Sequence, residues 1–137
     1  MSSISIKGIL IGAAVDFAGG TFLGILLLIA IVASQGVEAI DDLERIAETE
    51  TYWAAGLVLA GIASIIAGYV AARVAGRGEL INGTLSSFLS VAIVLCFLIA
   101  SWSEGLGASD LFDLVSAPVL GLFGGFLRSW QTRGRHG

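Results

Sequence analysis

Apolar residues in this chain do not alternate with polar ones. They run almost without interruption in four blocks, residues 8–33, 52–72, 84–102 and 111–127. A block that is apolar on every side has no polar face to offer water, so each predicts a helix surrounded by other apolar matter. At about 1.5 Å of rise per residue, the first three blocks are long enough to cross a hydrocarbon core of about 30 Å, and the fourth is at the short limit. The pattern predicts an all-α membrane protein with four transmembrane helices in a single domain, residues 1–137. In the fourth block Pro118 lies well inside the run, where it removes a backbone hydrogen bond. A kinked full span is favoured over a re-entrant segment, because the residues after Pro118 alone would reach only about 18 Å.

The polar residues between the blocks give the helices a direction. If the first helix crosses outward, Lys7, Arg73, Arg77, Arg128, Arg133 and Arg135 fall on the cytoplasmic side and only Arg45 falls outside. That is the asymmetry of the positive-inside rule, and it puts both termini in the cytoplasm with a basic tail at 128–137. The acids take the other side. Nine of the eleven do so: Glu38, Asp41, Asp42, Glu44, Glu48, Glu50, Glu104 and Asp110 lie in the outer segments and Asp113 at the outer end of the fourth block, so the net charge of -4 averages over a basic inner and an acidic outer face. Such a distribution argues against nucleic acid as a partner.

The outer segment 34–51 carries Val37, Ile40, Leu43, Ile46 and Ala47 at helical spacing among its acids, which predicts a short amphipathic helix at the outer surface. We read it as a solvated cap over the bundle, with binding of a cation or a basic partner as the alternative. Residues 73–83 predict a compact cytoplasmic turn, with Asn82 as a cap for a helix entering at Thr84. Trp53 and Trp102 at the outer interface and Trp130 at the inner one are expected to anchor the helices among the lipid headgroups.

A hydrophobic share of 56% and a mean hydropathy of +0.94 fit a small integral membrane domain. The single cysteine, Cys96, has no disulfide partner and no metal-ligating neighbours. The single histidine, His136, stands in the terminal tail, and no base lies near Ser86, Ser87 or Ser90. The expectation is a non-enzyme with no cofactor and no metal.

Small residues are not spread evenly. Gly8, Gly12, Gly20 and Gly24 recur along the first helix, with Asp16 in the missing step. Gly56, Ala60, Ser64, Gly68, Ala72 and Gly76 recur along the second, and Ala117, Gly121, Gly125 and Ser129 along the fourth. Absent side-chain bulk lets backbones approach closely, so these stripes predict packing faces, within one chain or between chains. Short similarities between the first and third helices, and between the second and fourth, suggest a tandem repeat of two helical hairpins.

Asp16 is the one ionisable residue deep within a predicted span, about 12 Å in from Gly8 at helical rise. An ionised carboxylate there costs at least about 3 kcal/mol on insertion scales, so it must face protein or water. Depth counting places Ser64, Ser90 and Gly121 near it, with Tyr69, Ser86 and Ser87 closer to the inner surface. Two readings compete. Asp16 with Ser64 and Ser90 binds an ion or a proton, or Asp16 is a hydrogen-bonded clamp between helices. With no second intramembrane charge to relay or balance one, the clamp is preferred.

Residues 67–83 read A-G-Y-V-A-A-R-V-A-G-R-G-E-L-I-N-G. With four spans and cytoplasmic ends, this stretch resembles small four-helix bacterial membrane proteins of uncharacterised function that carry a glycine-rich A-G-x-x-A-A-R-x-A-G turn after helix two. The resemblance covers about an eighth of the chain and does not extend to Asp16 or the acidic segment. It implies a bacterial inner-membrane location and no particular activity. Taken together, these features suggest an accessory or scaffold protein that assembles through small-residue helix faces, as a homo-oligomer or in a larger membrane complex. The alternative is a small oligomeric transporter or channel with Asp16 on the ion or proton path.

Overall fold

The computed structural model describes residues 4–35, 45–46, 49–100 and 108–134, and they are helical throughout apart from short connections. Four long helices follow one another up and down: α1 (Ile6–Gln35), α2 (Glu50–Ala75), α3 (Glu79–Ala100) and α4 (Ala108–Arg133). Three stretches, Ile6–Ser34, Glu50–Ala75 and Glu79–Phe97, are long and apolar enough to cross a membrane. The protein is thus an all-helical bundle with helices suited to a bilayer. Most of the outer acidic segment, and Trp102 with it, lies outside the described residues. So does the anchoring expected of Trp102.

Helices α2 and α3 form the middle of the bundle. Each packs against the other and against both α1 and α4, while α1 and α4 share no packed interface. The interior is inverted relative to a water-soluble domain. Its largest fully buried side chains are Asn82, Ser86 and Ser87, beside Ala67, Ala71 and Ala72, whereas Ile6, Phe97 and Val115 are 73%, 63% and 71% exposed. Burying large apolar groups drives folding in water. In lipid that drive is absent and close packing of small residues takes its place.

Local chemistry accounts for the helix ends. Thr49 caps α2, its hydroxyl accepting from the backbone N–H of Tyr52 at 3.3 Å. Gly76 closes α2 in the left-handed region at φ 67, and Gly78 follows at φ 59, so α2 and α3 are joined by only three residues. The turn is therefore shorter than 73–83, and Asn82 is not a cap. It lies in the first turn of α3, fully buried, where its amide nitrogen donates to the carbonyls of Arg77 at 2.9 Å and Gly78 at 3.0 Å. Its amide oxygen accepts from the backbone N–H of Ser5 at 2.7 Å, tying the start of α1 to this turn. Replacing Asn82 by alanine is expected to cost about 1–3 kcal/mol, because the buried groups it serves lose their partner. The check is a lowered thermal midpoint with faster hydrogen exchange at the start of α1.

Helix α4 runs unbroken through Pro118, which is buried. The end of α4 is tied to α2: Tyr69 donates to Gln131 Oε1 at 2.6 Å, and Arg128 donates to the same oxygen at 2.9 Å.

Candidate functional site

The end of the bundle nearest the α2–α3 turn is closed by backbone meeting backbone. A Cβ added at Gly8 would lie 2.8 Å from the Ala71 carbonyl oxygen, and one at Gly12 would lie 2.6 Å from Ala71 Cβ and 2.8 Å from Ser86 Cβ. On the other flank, a Cβ on Gly68 would strike the backbone of Gly121, and one on Gly125 would come within 2.7 Å of the Glu79 carbonyl oxygen. No residue but glycine fits these places without moving a helix. Ala72 is fully buried in the same region.

Other members of the stripes do not pack within this chain. Gly20, Gly24, Gly56 and Gly76 have nothing within 4 Å of an added Cβ, and Ala60 is exposed. The physical reason is that a four-residue step turns about 40° further round a helix each time, so a stripe that repeats along the whole helix leaves the contact face. Gly76 is required instead by its left-handed conformation. Gly83 and Gly124 were missed among the packing positions. A Cβ on Gly124 would strike the Ile65 carbonyl oxygen, and one on Gly83 would lie 2.8 Å from that of Gly121. Helix α4 fills a groove between α2 and α3 and needs two adjacent bare faces, so Gly121, Gly124 and Gly125 act as a set. Spacing of three together with four residues was the available signal.

Asp16 stands where the closed half ends. One turn beyond Gly12 on the same face of α1, it points to the junction of α2 and α3, and Ser64 Oγ donates to its Oδ1 at 2.9 Å. Ser90, donating to the Ser86 carbonyl at 3.2 Å, lines the same cavity as the carboxyl. Ser64 and Ser90 are 6% and 7% exposed. The structure therefore brings Asp16, Ser64 and Ser90 together from three helices.

Above this cluster the helices flank a half-open cavity of about 630 Å³. Its walls are mainly apolar, with Phe17 from α1, Leu57 from α2, Val91 and Val94 from α3, and Val115 and Leu120 from α4. Thr21 and Ser116 also line it, and no basic side chain does among the described residues. Phe17 stacks on Phe97 at a centroid distance of 6.4 Å, closing the α1–α3 side. Among the described residues no three His, Cys, Asp or Glu side chains converge as a metal site would require. Trp53 and Trp130 are exposed on α2 and α4, and Cys96 is exposed on α3.

A carboxyl group held by a serine hydroxyl at the base of an apolar cavity can do two things. It can bind helices together, and it can present a localised acceptor to whatever enters. No family model, curated protein or solved structure matches this chain.

Proposed function

We propose that this protein is a four-span accessory or scaffold protein of a bacterial inner membrane, with both termini cytoplasmic and no catalytic activity of its own. The carrying observation is the use of glycine: one half of the bundle is locked by backbone contact, while Gly24 and Gly56 face open space in the other half. Bare helix faces in lipid are stabilised by another helix packing on them, from a second copy or a larger complex. Helix α4 is the fourth span in this reading. Its 26 residues extend about 39 Å, enough to cross despite Pro118. The basic residues around the α2–α3 turn and the end of α4 support cytoplasmic ends. The hairpins α1–α2 and α3–α4 form the tandem repeat, related by an axis along the membrane normal.

The test is crosslinking in intact membranes. Gly24→Cys and Gly56→Cys, each with Cys96→Ser, are coupled to a maleimide–diazirine reagent and irradiated. Adducts with a second copy or with one foreign polypeptide are expected. Adducts with lipid alone at both positions would overturn the reading.

A second reading, a small oligomeric transporter or channel, is favoured by the opening of Asp16 into the cavity. It requires ion or proton flux that Asp16→Asn removes while assembly persists.

A further inference from the structure

The cavity above Asp16 has a chemistry that assembly does not use. It is a pocket of about 630 Å³, within the size range that encloses small organic ligands. Leu57, Val94 and Val115 make its walls hydrocarbon-like, and Asp16, Ser64 and Ser90 converge at its base. Asp16 is the one ionisable side chain among the described lining residues, so nothing in the wall balances a negative charge there. As an ion, the carboxylate only accepts hydrogen bonds, and it has more acceptor positions than Ser64 and Ser90 fill. A neutral alcohol could satisfy an oxygen but would leave the charge uncompensated. A protonated amine would do both. Val94 and Val115 in its wall are 42% and 71% exposed, so the cavity opens to the side and a molecule dissolved in the bilayer has a lateral way in.

We propose that this cavity is a binding site for a lipophilic ammonium ion, its alkyl or aryl body along the apolar walls and its N–H groups donating to Asp16 beside the Ser64 and Ser90 hydroxyls. The inference requires only that the bundle be embedded in lipid, and holds whether or not the protein assembles with a partner.

The experiment uses the full chain in phosphatidylcholine nanodiscs at neutral pH, with two probes: dodecylamine and dodecanol, each carrying a diazirine in the chain. The amine is expected to label cavity-wall residues such as Leu57, Val94 and Val115 about tenfold more than the alcohol, the advantage of a charge-assisted hydrogen bond in a dry site. Excess plain dodecylamine should compete it away. Asp16→Asn should bring amine labelling down to the level of the alcohol and leave the alcohol unchanged. Ala60→Phe, which fills the cavity and leaves Asp16 in place, should reduce both. Equal labelling by amine and alcohol in the wild type, or labelling scattered outside the cavity, would overturn the proposal and mark the space as one for lipid chains. Should Asp16→Asn lose its thermal transition, Ala60→Phe decides: amine labelling undiminished in that variant also overturns it.

Discussion

Gly68→Leu is expected to destroy the packing of α4 against α2 and to destabilise the bundle by about 3 kcal/mol or more, the upper end for overpacking a core. The reason is that the obstacle is main chain. A Cβ at position 68 meets the carbonyl oxygen of Gly121 and lies 2.8 Å from its Cα. A flexible side chain could rotate away, but here α4 itself has to shift. Gly83 and Ser87 hold α4 from the other side, since a Cβ on Gly121 would lie 2.9 Å from the Gly83 carbonyl oxygen and 2.7 Å from Ser87 Cβ. Displacing α4 at one contact therefore opens the others. Ser87 Oγ, buried with no hydrogen-bond partner among the described residues, abuts Gly121, so a shift of α4 toward α3 meets it at once. Val70→Leu, two residues away and partly exposed, should change stability by less than about 0.5 kcal/mol. Thermal unfolding in a mild detergent compares the two. Equal midpoints would show that α2 and α4 do not touch at Gly68.

The second large effect is expected at Asp16. Replacement by leucine removes the acceptor for Ser64 and leaves a hydroxyl facing hydrocarbon, a loss of about 1–2 kcal/mol for an interhelical hydrogen bond in a membrane. Asparagine keeps an oxygen acceptor in the same place, so Asp16→Asn should stay within about 0.5 kcal/mol of the wild type. Thermal midpoints of the two variants, read alongside ion or proton flux in liposomes, separate a clamp from a transport site. A clamp is disturbed by leucine and indifferent to asparagine in both readouts. A transport site loses flux with asparagine while its stability holds.

Much of the closed half could be read from residue spacing, and the physics explains why. Positions that demand glycine in lipid repeat with the helix, so Gly8, Gly12, Gly68, Gly121 and Gly125 declared themselves as a pattern. Depth counting also brought Asp16, Ser64 and Ser90 to one level, because helices of equal rise keep register. What spacing could not show was where contact stops. Gly24 and Gly56 obey the same four-residue period as Gly12 and Gly68, but each lies about 120° further round its helix, off the packed face. Depth counting gives a hydroxyl-lined notch beside Asp16, but the apolar cavity above it is built by side chains from four helices, which no one helix's spacing shows. Asn82 misled for a different reason. Glycine at 78 in the left-handed region lets α3 begin at Glu79, so a residue suited to capping became a buried bracket for α1.

Native mass spectrometry shows whether the bare helix faces serve assembly in the membrane. The protein is extracted with its surrounding lipid into nanodiscs, without passage through detergent, and ejected intact. A complex containing either several copies of this chain or a foreign polypeptide in fixed ratio is expected. A monomer carrying lipid alone would contradict assembly.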